Sequence, residues 1–154
     1  MDSYLFGMKL ALNEAQKAAE RYEVPVGAVI LLENRILSAA SNQREADQDP
    51  TAHAEILALK EASRQLQSWR LTGATMYVTQ EPCPMCAGAL LNARISRLVY
   101  GCSNPKAGAV RTLYQLLEDK RLNHTVEVIP EVLATECSAL LSKFFENLRS
   151  LGKK

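Results

Sequence analysis

Apolar side chains return at helical spacing in four segments of the chain. In residues 5–22 they recur every three or four positions, which predicts a helix with one buried face. The stretch 137–151 carries a similar stripe and predicts a final helix. Residues 56–66 repeat the pattern after a polar loop. Pro84 opens a fourth helix through position 93, because proline suits a first helical turn.

Short runs rich in β-branched and apolar residues alternate with these helices. Residues 26–32 and 36–40 flank a polar turn and predict a hairpin. Further strands are expected at 76–79, 98–100 and 126–129. Leucines at 113–117 predict a short helix. This order of elements predicts an α/β fold in which helices cover both faces of one sheet.

Length and composition are typical of one globular domain spanning residues 1–154. A chain of 154 residues can bury a substantial core, and 47% hydrophobic with 23% charged residues excludes a disordered or collagen-like chain. The longest apolar run, 24–32, is far shorter than the roughly 20 residues that a membrane helix needs. The first residues lack the basic start and apolar stretch of a signal peptide, so the sequence predicts a cytoplasmic protein.

Charge is divided unevenly along the chain, whose net charge is +1 and whose sequence pI is about 7.7. Residues 1–93 carry −3 and residues 94–154 carry +4. The pI argues against a domain that binds nucleic acid by charge alone, since such domains typically have a pI above about 9. The basic second half can still meet a polyanion, although an ordinary solvated surface explains the same composition.

The clearest chemical motif combines Cys83, Cys86 and His53. Cysteines three positions apart lie on nearly the same face of a helix, so both sulfurs can reach one metal ion. A helix start, where backbone N–H groups point outward, also favours the thiolate form. His53 stands at another predicted helix start and can supply a third ligand. These donors predict a zinc site.

Glu55 stands two positions after His53 and is expected beside this site rather than in it. Side chains two positions apart on a helix point roughly 200° apart, so the two converge only if His53 occupies an irregular first turn. Three protein ligands and a nearby carboxylate are typical of a catalytic zinc site, which keeps one position open for water. The pattern H-x-E…P-C-x-x-C is typical of zinc nucleobase deaminases, in which the carboxylate moves protons while water displaces an amino group.

Two other interpretations of the same motif stay open. A structural zinc site needs a fourth protein ligand, which Cys102, Cys137 or His124 could supply. A non-catalytic zinc module for protein or RNA binding would also use the motif, but it would keep its function without Glu55. If they do not bind zinc, Cys102 and Cys137 are expected to be small buried residues. His124 is then expected to hold a loop together through hydrogen bonds.

The stretches around the zinc motif give the chain a closer resemblance. It resembles bacterial tRNA-specific adenosine deaminases, of the cytidine and deoxycytidylate deaminase superfamily, over residues 5–149. The matching positions are 23–29, Asn42, 50–55, 69–71, 80–83, 85–88, 100–101, 123–124 and 144–145. The zinc motif alone marks the superfamily, whereas these stretches narrow the match. The resemblance implies hydrolytic deamination of adenosine to inosine, with release of ammonia, at wobble position 34 of a tRNA(Arg) anticodon.

The resemblance also implies a fold and a ligand set. The implied fold is the cytidine-deaminase-like fold, an α/β fold of three layers (α-β-α) around a five-stranded mixed sheet. The resemblance also implies a homodimer. Each subunit would hold one Zn²⁺ through His53, Cys83 and Cys86. Glu55 would then serve as the proton shuttle.

Four residues are implied to hold the flipped-out base, namely Asn42, Val26, Ala28 and Ala54. An amide such as that of Asn42 can both donate and accept hydrogen bonds at a purine edge. Without the resemblance, an asparagine in this polar loop is more typical of a residue that caps its own backbone. Val26 and Ala28 are also compatible with plain strand core.

Contacts with RNA are implied at Asn104, Lys106, Phe144, Phe145 and Arg149. Adjacent residues on a helix point about 100° apart, so at least one of the two phenylalanines is expected in the core. The lysine and the arginine are equally compatible with solvated surface.

Asn104 stands where this family more often has aspartate. An amide donates hydrogen bonds as well as accepting them, which would change the recognition of a ribose 2′-hydroxyl. A DNA-tolerant adenosine deaminase is therefore one alternative. A second is a deaminase of a free nucleobase or nucleotide, of the guanine or cytosine type. The near-neutral pI favours the second alternative, whereas the stretches 25–29 and 144–149 oppose it.

Overall fold

The predicted helices and strands are all present in the structure, a computed structural model that describes residues 2–152. In chain order the elements are α1 (Asp2–Glu20), β1 (Gly27–Leu32), β2 (Arg35–Ser41), α2 (Arg44–Asp47), α3 (Ala54–Leu66), β3 (Thr75–Gln80), α4 (Pro84–Asn92), β4 (Arg97–Cys102), a 3-10 turn (Leu116–Glu118), β5 (Glu127–Ile129) and α5 (Ala134–Ser150). The short helix expected near 113–117 is this single 3-10 turn. The four-residue α2 was not predicted, because it is too short to leave a periodic signal. None of the helices in the described part has both the length and the apolar character needed to span a membrane.

The predicted end of the fourth strand is wrong. The sequence predicts that the fourth strand ends at Tyr100, but β4 continues through Gly101 to Cys102. A Cβ atom at Gly101 would overlap Sγ of Cys137 and would lie 2.6 Å from the carbonyl oxygen of Thr79. The glycine is therefore required by the close approach of α5 to the sheet, rather than by a turn.

The five strands form one mixed sheet in the order β2-β1-β3-β4-β5. β1 runs antiparallel to both β2 and β3, whereas β3, β4 and β5 run parallel to one another. The carboxyl ends of β2, β3 and β4 therefore meet the amino end of β1 at one edge of the sheet. This topology confirms the expected five-stranded mixed sheet.

Hydrophobic clusters on both faces of the sheet give the fold its three layers. Ile30 and Met76 pack with residues of α3 and α4 in one cluster. Their neighbours Val29 and Tyr77 pack with residues of α1 and with Cys137 of α5 in the other. Since successive side chains point to opposite faces of a strand, β1, β3, β4 and β5 contribute to both clusters, whereas β2 contributes only to the first. The α-β-α arrangement is confirmed.

Candidate metal centre and catalytic pocket

A pocket opens at the sheet edge where β1 begins and where β2, β3 and β4 end. Its lining residues are Val24, Val26, Asn42, Arg44, His53, Ala54, Glu55, Gln80, Glu81, Cys83 and Asn104. They come from the segments that flank these strand ends and from the starts of α3 and α4. In α/β sheets, ligands typically bind at the carboxyl ends of strands. The tertiary fold thus gathers residues that are up to 80 positions apart in the chain.

Two helix starts carry the candidate metal ligands. His53 is the N-cap residue of α3, with extended backbone (φ −74°, ψ 151°), and Cys83 is the N-cap residue of α4 (φ −75°, ψ 175°). Pro84 occupies the first turn of α4, as expected, and Cys86 follows in the same turn. The irregular start of α3 explains how His53 and Glu55, only two positions apart, both line the pocket.

The three candidate donor atoms lie at ligand spacing. Nδ1 of His53 is 3.7 Å from Sγ of Cys83 and 3.5 Å from Sγ of Cys86. All three atoms lie within 4.8 Å of one another. Tetrahedral zinc, with bonds of about 2.3 Å to sulfur and about 2.0–2.1 Å to nitrogen, places a nitrogen and a sulfur ligand about 3.5–3.6 Å apart and two sulfurs about 3.8 Å apart. The residues present therefore fit a zinc ion.

Among the described residues, no fourth histidine, cysteine or carboxylate joins this group. Cys102 and Cys137 are buried in the cluster on the α1 side of the sheet, as expected for small core residues. Nε2 of His124 lies 2.8 Å from the carbonyl oxygen of Ile95, which confirms its expected hydrogen-bonding role in a loop. The structural-zinc interpretation therefore lacks its fourth ligand.

The surroundings of the two pocket cysteines separate their pKa values. A hydrogen bond from the Cys86 thiol, assisted by His53 and opposed by burial, lowers the pKa of Cys83 to about 4. The same hydrogen bond, together with burial and the charge of Glu55, raises the pKa of Cys86. The hydrogen bond with Cys83 also raises the pKa of His53. One thiolate forms readily here, and a divalent cation would stabilise the second.

Glu55 lines the pocket although only 4% of its surface is exposed. Burial raises the pKa of its carboxyl group to about 7, against the lowering effect of its own backbone N–H and of His53. A carboxyl group with such a pKa can both accept and release a proton near neutral pH. Glu55 is not part of the three-donor group formed by His53, Cys83 and Cys86.

Asn42 lies in the pocket wall and is held by its own loop. Its Nδ2 donates to the carbonyl oxygen of Val24 at 3.2 Å, and its Oδ1 accepts from the Arg44 N–H at 3.0 Å. Each end of an amide can form one further hydrogen bond. Backbone capping and recognition of a ligand are therefore compatible at this residue. Val26 and Ala54 line the same pocket.

Ala28 does not line the pocket, in contrast to the prediction. Its side chain is fully buried in the cluster that packs against α3. β1 already pairs with β2 at Gly27, opposite Ser41, so Ala28 is inside the sheet and faces the core. For this residue the strand-core alternative is the arrangement observed.

Two buried glutamates that support the pocket were not found by sequence reasoning. Glu23 is 1% exposed, and its oxygens accept from the N–H groups of Glu45 (3.0 Å) and Ala46 (2.6 Å) in α2. Glu81, also 1% exposed, accepts from the backbone of residues 104–112. Burial alone would raise the pKa of Glu81, but these hydrogen bonds hold it below its usual value. Acidic residues are usually solvated, so no local pattern distinguishes these two.

The residues expected to contact RNA lie on the loop after β4 and on α5. Asn104 lines the pocket, and Lys106 is exposed on the same loop. On α5, Phe144 is buried while Phe145 is 41% exposed, and their ring centroids are 5.4 Å apart. Arg149 is exposed near the end of the helix. One phenylalanine is thus in the core, as expected, and the other is open to a partner.

Comparison with known proteins finds deaminases along most of the chain. A family model described as MafB19-like deaminase matches residues 3–149. The "tRNA-specific adenosine deaminase" of Bacillus subtilis (strain 168) is 49% identical over 146 residues, or 95% of this chain and 91% of that protein. The protein of the same description from Haemophilus influenzae is 48% identical over 147 residues, or 95% of this chain and 85% of that one. A solved structure from work on A-to-I editing by tRNA:A34 deaminases at the wobble position has a TM-score of 0.85 and 42% identity, and the match covers 88% of this chain and 99% of that one.

Proposed function

The chain belongs to the MafB19-like deaminases and, within them, to the tRNA-specific adenosine deaminases, and from this premise we propose that it converts adenosine 34, at the wobble position of a tRNA(Arg) anticodon, to inosine. The reaction is hydrolytic. Water supplies the new carbonyl oxygen at C6 of the purine, and the amino group leaves as ammonia. The observation that carries this proposal is the placement of Glu55 beside three candidate metal ligands in one pocket.

We assign one Zn²⁺ per subunit to His53, Cys83 and Cys86, because an imidazole and two thiolates at tetrahedral spacing suit zinc. Zinc would act as a Lewis acid that lowers the pKa of water toward about 7. The two helix starts hold His53 and Cys83 in the required positions.

Glu55 would carry the protons. Its carboxylate lines the pocket but is outside the ligand group, so it is free to take a proton from the attacking water. It then delivers one proton to N1 of the purine ring and a second to the leaving amino group. Both protons come from the same water molecule, so Glu55 ends the cycle in the state in which it began.

The flipped-out base would lie against Val26, Asn42 and Ala54, which line the pocket beside Glu55. The remaining donor and acceptor of the Asn42 amide suit a purine edge, which offers both kinds of partner. Its two hydrogen bonds within the loop fix its orientation before the base enters.

The RNA around the base would meet Asn104, Lys106, Phe145 and Arg149, with Phe144 packed beneath Phe145. All five follow residue 94, in the part of the chain that carries +4. An exposed ring can stack on an unpaired base, and exposed cations can meet phosphates.

We further propose that residues 1–154 form one domain that acts as a cytoplasmic homodimer. The single five-stranded sheet, covered on both faces, supports one folding unit. Leu113 and Tyr114 are more than half exposed, which supports an apolar contact with a second copy. The four cysteines are free thiols, as is typical of a reducing compartment.

The test is mass analysis of a tRNA pool after incubation with the zinc-loaded protein. Inosine is expected at the first anticodon position with the wild type and not with Glu55→Ala, which should retain zinc. Matched RNA and DNA hairpins and free guanine and cytosine are the comparison substrates. Turnover of the free bases without turnover of RNA would replace the proposal with a nucleobase deaminase. No turnover of any substrate by the wild type, together with RNA binding that Glu55→Ala leaves unchanged, would identify a non-catalytic zinc module instead.

A further inference from the structure

Glu81 is a buried carboxylate between the end of β3 and the loop that follows β4. Its Oε2 accepts hydrogen bonds from the backbone N–H groups of Val110, Arg111 and Thr112, at 3.0, 2.8 and 3.0 Å. Its Oε1 accepts from the Asn104 N–H at 3.2 Å and from the Thr112 hydroxyl. One side chain thus binds five donors from a single loop.

The neighbours of Glu81 fasten the same loop. A Cβ atom at Gly108 would lie 2.5 Å from Oε1 of Glu81, so the absence of a side chain there lets the loop approach the carboxylate. The Ala109 N–H donates to the carbonyl oxygen of Pro82 at 2.9 Å. The loop is therefore held by the two residues that immediately precede the candidate ligand Cys83.

The carboxylate of Glu81 has little capacity left for a substrate. Its two oxygens offer about four lone-pair sites, which five donors already share. Glu81 therefore differs from Glu55, although both line the pocket. The hydrogen bonds of Glu81 hold the backbone of Asn104, a residue that lines the pocket. The Oδ1 of Asn104 accepts from the Ala107 N–H at 3.1 Å, which fixes its side chain within the loop.

We propose that Glu81 is a positioning residue for the deamination, and that it fixes the loop after β4 so that Asn104 forms a wall of the pocket beside Cys83. This inference rests on the proposed function, because the wall affects turnover only if a nucleotide binds against it. Since Glu81 acts through the loop and not on the reacting atoms, its loss should weaken substrate binding and leave the chemical step nearly unchanged.

The principal test is Glu81→Gln, which keeps the size of the side chain but turns one acceptor oxygen into an NH₂ donor. Whichever oxygen remains, at least two loop donors lose their acceptor. We expect faster hydrogen exchange confined to residues 104–112 and a KM for the anticodon stem-loop that is about tenfold higher. The kcat should stay within about threefold, and the zinc content should be unchanged.

The matched control is Glu118→Gln. The Glu118 carboxylate also binds this loop, but through the side chain of Arg111 and with substantial exposure to solvent. Its loss should change exchange and KM by no more than about twofold. Thr112→Val and Thr112→Ser give a milder series that serves if Glu81→Gln does not fold. The valine removes one donor from Glu81 and should raise KM about threefold, whereas serine restores the hydroxyl and the wild-type KM.

Three results would overturn this role for Glu81. They are wild-type exchange in the loop of Glu81→Gln, a fall in kcat at unchanged KM, and a Thr112→Ser variant that behaves like Thr112→Val. A wild-type protein that forms no inosine would defeat the proposed function instead. In that case, exchange in the loop and equilibrium binding of the adenosine-34 stem-loop still test whether Glu81 sets the pocket wall, because neither measurement needs turnover.

Discussion

Cys83 and Cys86 lie at the start of α4 beside an open pocket, whereas Cys102 and Cys137 lie in the core between the sheet and the α1 and α5 helices. The first pair has Nδ1 of His53 within 3.7 Å of each sulfur. The second pair has no histidine or carboxylate close enough to complete a metal-binding group among the described residues. The same residue type thus occupies two quite different chemical environments in one small fold.

The thiol pKa values express part of that difference, because only that of Cys83 is lowered and those of Cys86, Cys102 and Cys137 are raised. Hydrogen bonding lowers the pKa of Cys83 to about 4, whereas burial, with smaller contributions from Cys102 and Glu136, raises the pKa of Cys137 to about 12. Burial also raises the pKa of Cys102. A metal site needs thiolates, and an apolar core keeps thiols protonated. The surroundings of each pair, rather than the number of cysteines, therefore decide where a metal can bind.

The largest expected difference between the pairs concerns zinc. Cys83→Ala should lose zinc and lower turnover by several orders of magnitude, because it removes a ligand and with it the activation of water. Cys102→Ala, in the core, should keep both. Metal analysis of the purified variants and inosine formation from the stem-loop measure the two effects. Zinc loss in Cys102→Ala would show that the second pair takes part in metal binding.

Thiol alkylation should separate the pairs by rate. At pH 8 a thiol with a pKa of about 12 is only about 10⁻⁴ ionised, so Cys137 should react roughly 10³-fold more slowly than a free cysteine. Because its pKa lies above this range, its rate should rise about tenfold per pH unit between pH 8 and 10. Peptide mapping after alkylation, with and without a chelator, measures each site. Cys83 should become labelled when zinc is removed, and rapid labelling of Cys137 in the folded protein would contradict its buried environment.

Glu55→Gln tests whether proton transfer by Glu55 is separate from metal binding by the residues around Cys83 and Cys86. The substitution should lower kcat by about 10²–10⁴-fold, because the amide cannot transfer protons. Zinc should remain, since Glu55 is outside the group formed by His53, Cys83 and Cys86. Kinetics and metal analysis on one preparation measure both effects. Loss of zinc together with activity would instead make Glu55 part of the ligand set.

The sequence predicts the positions of Cys83 and Cys86, but it does not predict the parts of the site that depend on contacts between residues far apart in the chain. His53, Glu55, Cys83 and Cys86 are recognisable because ligand spacing and helix starts are local features. The support from Glu81 could not be predicted, since the donors that neutralise the cost of burying it lie 23 to 31 positions away.

Register and length explain the other differences between prediction and structure. Ala28 was assigned to the wrong environment because its distance from the pocket depends on where β1 begins to pair with β2, and this pairing already starts at Gly27. β4 extends through Gly101 because Cys102 still pairs with Gln80 of β3, and the glycine leaves room there for Cys137 of α5; no local pattern encodes either contact. α2 is only four residues long, so it has no hydrophobic period to detect.

The smallest expected effect concerns the packing that encloses the second pair. In Gly101→Ala the new methyl group would overlap Sγ of Cys137 and lie 2.6 Å from the carbonyl oxygen of Thr79, so the free energy of unfolding should fall by about 1–3 kcal/mol. Gly88→Ala is the matched control, because nothing lies within 4 Å of its Cβ position and it sits inside α4. There alanine should leave stability unchanged or raise it by up to about 1 kcal/mol.

Adding Cys137→Ala to Gly101→Ala should recover only part of the lost stability, since the contact with the carbonyl oxygen of Thr79 remains. Urea denaturation measures the stability of all of these variants. A Gly101→Ala variant as stable as the wild type would contradict the close contact of Gly101 with Cys137 and Thr79.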